Sequence, residues 1–138
     1  MTMMKSAVFG VGVLCAVLLA CKGPSKGKAS GEQKKAEPEL TVTAEQLQSD
    51  YTANEVRADQ KYKGKTIRVR GVVDRIDSAV LDQPVVVLGT SGFMGVRLNG
   101  LSTDKAAALD KGQELEAVCV GGGEVIGSPS LDGCELTK

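Results

Sequence analysis

The hydrophobic periodicity of this chain changes at Gly64, and that change constrains its fold more than any other feature. Before Gly64, five residues recur at steps of four and three, which places them on one face of an α-helix. These residues are Leu47, Tyr51, Asn54, Ala58 and Tyr62. Thr43 followed by Gln46 predicts a capping box at the start of the helix. Asn54 is the one polar residue on this face. We expect its side chain to bond a backbone group of the β-barrel on which the helix is predicted to pack. The opposite face is predicted to be exposed and carries Gln48, Thr52, Glu55, Asp59 and Gln60.

After Gly64 the apolar residues alternate with a period of two. The alternation runs from Ile67 to Asp74 and predicts a half-buried β-strand. Gly71 lies in the middle of that strand, where a glycine gives up packing and marks a bulge or a sharp bend. A bent strand can pair in two sheets, as the closure of a small barrel requires. We therefore predict a barrel that begins with this strand.

The rest of the chain predicts four more strands and one short helix. The strands follow from β-branched runs and alternation, and the helix from a capping Ser102 or Thr103. The predicted strands are Pro84–Leu88, Phe93–Leu98, Leu115–Val120 and Ser130–Leu136, and the predicted helix is Asp104–Leu109. The three glycines at 121–123 are predicted to break the fourth strand. The fold class is therefore mainly β with an N-terminal helix: a five-stranded OB-fold barrel with a short helix between strands 3 and 4.

An apolar run from Ser6 to Ala20 follows Lys5 at the start of the chain. Spanning a bilayer takes about 20 apolar residues, so this shorter run favours a secretory signal peptide. It ends Leu18-Leu19-Ala20-Cys21, which resembles the lipobox of bacterial lipoproteins. That resemblance implies cleavage before Cys21 and a diacylglycerol on its thiol, with palmitate as one of the acyl chains. The alternative is a signal peptide in which Cys21 is incidental.

The sequence predicts three parts: a signal peptide at 1–20, the lipidated Cys21 with a flexible tether at 21–38, and a folded domain at 39–138. The tether is rich in Lys, Gly, Ser and Glu and cannot bury enough surface to fold. Lys22 follows the cysteine, which under the sorting rule of enteric bacteria resembles an outer-membrane lipoprotein. We therefore expect a lipid-anchored protein of the bacterial cell envelope that faces the periplasm or the surface, in the outer membrane rather than the inner one.

The helix and the first strand also carry a family resemblance. Leu47, Tyr51, Asn54, Glu55, Ala58, Tyr62, Lys63 and Gly64, followed by Val69, Gly71 and Val73, resemble the tRNA-anti-like family of OB-fold lipoproteins. Gly112-Gln113 before the fourth strand and Cys134 after an Asp-Gly pair fit as well. The resemblance covers about 95 residues, essentially the whole domain. It implies an OB fold and no established activity.

Cys119 and Cys134 are the two cysteines outside the signal and the lipobox. An exported protein can hold a disulfide, and these residues fall on strands predicted to be antiparallel neighbours. A redox pair or a metal site is the alternative, but redox pairs usually lie close together as Cys-x-x-Cys. Metal sites require more Cys or His, and the chain contains no His. We expect a structural disulfide, no metal and no cofactor.

No catalytic constellation emerges from the sequence, so an enzyme is not expected. The predicted function is a non-catalytic binding module for an envelope protein or a small ligand. Its binding face is predicted to contain Arg68, Arg70, Phe93 and Arg97, with residues 74–83 and 121–129 as rims. Nucleic-acid binding is the alternative that the OB fold suggests. It is disfavoured because the domain has a net charge of −4 and its barrel carries a single aromatic residue, Phe93.

Overall fold

In the computed structural model, which describes residues 37–78 and 83–137, three helices accompany six β-strands. In chain order the elements are β1 (Leu40–Thr43), α1 (Ala44–Ala53), α2 (Glu55–Tyr62), β2 (Thr66–Ser78), β3 (Pro84–Leu88), β4 (Val96–Leu98), α3 (Thr103–Ala107), β5 (Glu114–Val125) and β6 (Ser128–Leu136). The predictions for the signal peptide, for Cys21 and for the tether up to residue 36 lie outside the described residues.

Five of the strands close into a barrel in the order β2-β3-β4-β6-β5, because β5 also pairs with β2. The first half of β2 pairs antiparallel with β5, from Thr66 opposite Val120 to Val72 opposite Glu114. The second half, from Val73 onward, pairs antiparallel with β3. The protein is therefore mainly β, and its closed five-stranded barrel is consistent with the OB fold.

β2 is a single strand of 13 residues that serves both neighbours. Gly71 lies at the changeover, where an added Cβ would lie 3.0 Å from both Ala44 Cβ and Leu88 Cδ1. Glycine therefore permits the close approach of α1 and β3 to this strand. The register shifts between Val73 and Arg75, so the irregularity falls a few residues beyond the predicted position.

The sequence did not predict β1. Its 4 residues pair in parallel with β2, from Leu40 opposite Ile67 to Thr43 opposite Arg70. β1 and β5 therefore occupy the two edges of the same half of β2. A run this short shows too few alternations to be distinguished from the end of a tether, and only Val42 in it is buried.

The barrel interior and the inner faces of α1 and α2 form one hydrophobic core. The alternation of β2 is as predicted, because Ile67 and Val69 are fully buried whereas Arg70 is exposed. The helices contribute Leu47, Tyr51, Ala58 and Tyr62 to the core, and the strands contribute Val73, Val86, Leu88, Val96, Leu98, Leu115, Ala117 and Leu131. Fully burying one such side chain stabilises the fold by roughly 1.5–3 kcal/mol.

The predicted single helix is wrong: the chain forms two helices that are separated at Asn54. Thr43 caps α1 as predicted, its Oγ1 accepting a hydrogen bond from the Gln46 amide at 3.1 Å. The Gln46 side chain donates to Asp50 instead of returning to the cap. Asn54 is extended and exposed, and its Oδ1 accepts from the Arg57 amide at 3.0 Å. Its side chain therefore caps α2 instead of bonding the barrel, as suits a residue that favours N-caps.

Two tyrosine–aspartate bonds join α1 and α2 in a reciprocal way. Tyr51 of α1 donates to Asp59 of α2 at 3.1 Å, and Tyr62 of α2 donates to Asp50 of α1 at 2.5 Å. Burial raises the pKa of both phenols, and the neighbouring carboxylates raise it further. Lys61, which donates to Asp50 at 2.8 Å, and the Tyr62 hydroxyl hold the pKa of that carboxyl below its usual range. The helix pair is thus fixed by polar bonds as well as by the core.

The prediction that Gly121–Gly123 break the fourth strand is wrong, because β5 runs through all three residues. A Cβ at Gly121 would lie 2.1 Å from the Tyr62 carbonyl oxygen. The Gly64 amide donates to the Gly121 carbonyl at 2.8 Å. The missing side chain therefore lets the end of α2 pack directly on the strand. Glycine in a strand can mark such a close backbone approach.

Cys119 and Cys134 form a disulfide between β5 and β6, with their Cα atoms 4.2 Å apart. Both residues are buried in the core. The two strands are antiparallel neighbours, with Val118 opposite Glu135. The bridge therefore fixes the hairpin that ends the chain.

α3 lies between β4 and β5, the third and fourth barrel strands along the chain, where the short helix was predicted. The Ser102 hydroxyl caps it by accepting a hydrogen bond from the Lys105 amide at 3.4 Å. Ala106 of α3 and Leu109, which follows the helix, are buried in the core. None of the helices that the structure describes has the length and apolar character that crossing a membrane requires.

Candidate functional site

The four residues predicted as a binding face lie on different elements of the fold. Arg68 and Arg70 lie on the half of β2 that pairs with β5. Arg97 lies on β4, which pairs with β3 and β6, and Phe93 lies in the connection before β4. Of the predicted rims, residues 74–78 belong to β2, and most of 121–129 belongs to β5 and β6.

Arg68 and Arg70 form ion pairs within the fold. Glu116 on β5 lies opposite Arg70, and its carboxylate is 7% exposed. It accepts hydrogen bonds from Arg68 Nη1 at 3.2 Å, from Arg70 Nε and from Thr137 Oγ1 at 2.9 Å. The Arg70 guanidinium, the Thr137 hydroxyl and the charge of Arg68 hold the pKa of Glu116 below its usual range. We call Arg68, Arg70 and Glu116 the charged cluster.

Sequence reasoning missed Glu116. The alternation along β5 places it on the outer face, where an acidic residue is ordinarily exposed. Only the register, which sets it opposite Arg70, shows that one carboxylate pairs with two arginines. The positions of opposite charge on strands predicted to pair were the one available signal.

The outer face of β3 and β4 is where OB folds bind oligonucleotides and oligosaccharides. Directly paired strand residues point to the same side, and the register aligns Arg75, Val87, Arg97 and Ser130 in one row. Val87 is buried without belonging to the main core, as is Val85. Arg75 pairs with Asp77 at 3.0 Å and is partly neutralised. This row carries no aromatic side chain.

Phe93 does not belong to a strand, because β4 begins only at Val96. Gly95 has φ +69°, and a Cβ there would lie 2.5 Å from the Leu88 carbonyl oxygen. The backbone is therefore not extended at Gly95, and the strand that begins at Val96 does not reach back to Phe93. Phe93 is 97% exposed at the tip of this connection.

A second apolar side chain protrudes from the turn between β5 and β6. Ile126 is 87% exposed and has φ 51°, and Gly127 follows with φ 74°. A two-residue hairpin turn with positive φ at both positions strongly favours Asn-Gly. A β-branched residue in this conformation costs of order 1–3 kcal/mol. Isoleucine is therefore not the residue that the backbone of this turn favours.

The connection before β4 and the hairpin turn are adjacent. A Cβ at Gly127 would lie 3.9 Å from Met94 Cγ, and Ser128 Oγ donates to the Gly95 carbonyl at 2.7 Å. We call Phe93, Met94 and Ile126 the apolar tips.

α1 forms hydrogen bonds with both segments that carry the apolar tips. Gln48 was predicted to be exposed, but it is 9% exposed because its Nε2 donates to the Gly127 carbonyl at 3.1 Å. Its Oε1 is buried without a hydrogen-bond donor among the described residues. Glu45 accepts two hydrogen bonds from Ser91, one from the amide at 2.7 Å and one from the hydroxyl. These bonds lower the pKa of Glu45 and fix the connection that carries Phe93.

Residues 1–134 match the family model described as tRNA_anti-like. The chain belongs to this family. No curated protein matches the chain in sequence. Among solved structures, it is similar to a “putative nucleic acid-binding lipoprotein” from Klebsiella pneumoniae subsp. pneumoniae MGH 78578, at 20% identity and a TM-score of 0.59. The similarity covers 71% of this chain and 91% of that chain, and at this identity it establishes the fold alone.

The depressions on this tRNA_anti-like domain hold no recognisable catalytic set within the described residues. One, of about 380 Å³, is lined by Glu45, Asp74 and Lys111 together with other residues of β2 and of the connections after β3 and before β5. Lys111 and Asp74 there form an ion pair at 3.6 Å. No cluster of three or more metal-ligating side chains occurs in residues 37–78 and 83–137. Neither the family nor the similar structure is described as an enzyme.

Proposed function

We propose that this protein is a lipid-anchored lipoprotein of the cell envelope. Its OB-fold domain acts as a non-catalytic binding module for an envelope protein or a small ligand. A signal peptide at 1–20, acylated Cys21 with a tether to residue 38, and the domain at 39–138 make up this arrangement. The lipobox-like Leu18–Cys21 run supports it, as does the similar structure, which is described as a lipoprotein. Lys22 after the cysteine favours the outer membrane.

The charged cluster carries the choice of ligand class. Proteins that bind single-stranded nucleic acid combine a basic groove with stacking aromatic rings. Arg68 and Arg70 instead form ion pairs with Glu116, and both tyrosines are buried in the core. The domain also has a net charge of −4. These features favour a protein or a small ligand over nucleic acid.

Nucleic-acid binding is the second candidate because of two observations. Arg75 and Arg97 flank Val87 on the barrel face that OB folds commonly use. The similar structure is described as “putative nucleic acid-binding”. Under this alternative, Arg97 would contact phosphates and Phe93 would stack on a base.

Titration of labelled single-stranded DNA and RNA at physiological salt separates the two candidates. The first proposal expects no binding below about 100 µM, the weak end of non-specific affinity. Salt-sensitive binding at micromolar concentration that is lost in Arg97→Ala, but retained in Arg57→Ala, would establish the alternative. Arg57 is a matched control because it is exposed on α2. A photo-crosslinker at position 97 in intact cells would then identify the bound protein.

Metabolic labelling with palmitate tests the anchor. Cys21→Ser should take up no label and should remain uncleaved or become soluble, because no thiol is available to carry the diacylglycerol. Cys15→Ser is the matched control, since that cysteine lies within the apolar run, and it should be labelled like the unmodified protein. Equal labelling of both variants would contradict the lipobox interpretation.

A further inference from the structure

We infer that the apolar tips insert into the interfacial region of the bilayer that anchors the protein. The domain would then lie against the membrane, with the β3–β4 connection and the β5–β6 turn facing the lipid. This inference rests on the proposed lipid anchor and adds an orientation to it. It also assigns a lipid-contacting role to Phe93 and Ile126.

The segments around the tips contain no charge. Residues 84–96 include no Asp, Glu, Lys or Arg, and neither do residues 125–131. A charged side chain is costly inside a bilayer, so a membrane-contacting loop must exclude it. A quarter of the whole chain is charged, which makes two adjacent uncharged segments an informative pattern.

The tips expose large apolar side chains that the fold does not need. Phe93 is 97% exposed and Ile126 is 87% exposed, so neither contributes to the core. Ile126 also holds a left-handed backbone conformation, with φ 51°, that Asn or Gly adopts more readily. Isoleucine at this position therefore has no advantage for the turn. It has an advantage for apolar contact outside the domain.

The geometry presents these side chains together. Glu45 holds the connection through Ser91, and Gln48 holds the turn through Gly127. Glu45 and Gln48 both lie on α1, which begins directly after β1. The predicted tether ends at Pro38, shortly before β1 and α1 in the sequence.

The chemistry favours a lipid surface over a protein partner. The segments that carry the tips supply no charged side chain to the polar rim that protein interfaces usually have. The negative charge of the domain also gives no attraction to anionic head groups. Insertion should therefore depend on apolar contact and should occur in zwitterionic membranes.

The absence of Trp from the chain permits a direct test. The full acylated protein carrying Phe93→Trp is reconstituted in vesicles of phosphatidylcholine and phosphatidylethanolamine. We expect a blue-shifted emission and quenching by brominated phosphatidylcholine several-fold stronger than for Val56→Trp. Val56 is the matched control because it is 70% exposed on α2. Ile126→Trp provides a second reporter from the other tip.

Aqueous iodide identifies the contrary result. If Phe93→Trp and Ile126→Trp are quenched by iodide as strongly as Val56→Trp, while the protein floats with the vesicles, the tips face water and the inference is wrong. A protein that is neither acylated nor vesicle-bound overturns the anchor and this inference together. A blue shift that occurs in cell envelopes but not in pure vesicles would assign the tips to a protein partner instead.

Discussion

The charged cluster and the apolar tips are two surface regions with opposite properties. In the cluster, Arg68 and Arg70 form ion pairs with Glu116, so residues that suggest ligand binding make contacts within the fold. At the tips, Phe93 and Ile126 have no such partners and are almost fully exposed. Charged residues in a sequence are therefore weak evidence for a binding site until the register of the strands is known.

Glu116 of the cluster lies on β5 and Ile126 of the tips lies in the turn between β5 and β6, so reducing the disulfide between these strands should have the largest effect. The bridge closes a loop with a sequence separation of 15, which in the chain-entropy model stabilises the fold by about 3 kcal/mol. Urea unfolding of the oxidised and reduced protein measures the difference. Identical midpoints would show that packing alone holds the hairpin.

Glu116→Gln breaks the charged cluster. The folded-state pKa of Glu116 is lowered, so its contribution is present above its ordinary pKa of about 4.3 and is lost as pH falls. The variant should be less stable at pH 7, by less than reduction costs, and its stability should depend less on pH between 7 and 3. It also frees two guanidinium groups, so its affinity for single-stranded DNA should rise.

Glu114→Gln is the control for this experiment, because Glu114 is exposed two positions earlier on the same strand. Thermal unfolding across the acid range compares the three proteins. If both variants behave alike, the cluster does not stabilise the fold and the ion pairs with Arg68 and Arg70 are incidental.

Ile126→Asn sharpens the description of the tips because it should change stability and membrane contact in opposite directions. Asparagine tolerates positive φ, so the free energy of unfolding should rise by about 1 kcal/mol. For a domain of this size that raises Tm by roughly 4–8 °C. Val125→Asn removes a similar apolar side chain without relieving φ and should not raise Tm. Equal shifts in both variants would contradict the account of the turn.

Phe93→Ser should have the smallest effect on folding. Phe93 is 97% exposed, and substitutions at such positions usually change stability by less than about 0.5 kcal/mol. Differential scanning calorimetry should therefore show nearly unchanged unfolding. A large loss of stability would mean that Phe93 packs within the domain and is not available to a membrane.

The fold was predictable where local pattern and tertiary structure agree. The alternation around Ile67 and Val69 predicted the first barrel strand, and Ser102 predicted the short helix, because burial and capping are both local properties. The two cysteines on neighbouring strands predicted the disulfide. The class and the number of barrel strands followed from these patterns.

The errors share a different cause. Gly121 was interpreted as a strand breaker, although it accommodates the Tyr62 carbonyl, a contact that no local pattern contains. The position of Asn54 is compatible both with the interior of one long helix and with a cap between two helices. Asn54 is a cap in the structure, because its side chain accepts a hydrogen bond from the Arg57 amide. The register that joins Arg70 to Glu116 is equally non-local. For that reason the charged cluster could not be predicted from the sequence.

The pairing of β2 with β5 also sets an order of folding events. Arg68 and Val118 are partners although about fifty residues separate them, whereas the β5–β6 hairpin is local. Closing a long loop costs conformational entropy, and contacts of high sequence separation lower folding rates. The hairpin and its disulfide should therefore form before the barrel closes. When the reduced protein refolds in the presence of oxidised glutathione as the oxidant, thiol alkylation should find both cysteines already protected while the amides of the β2–β5 seam still exchange with solvent.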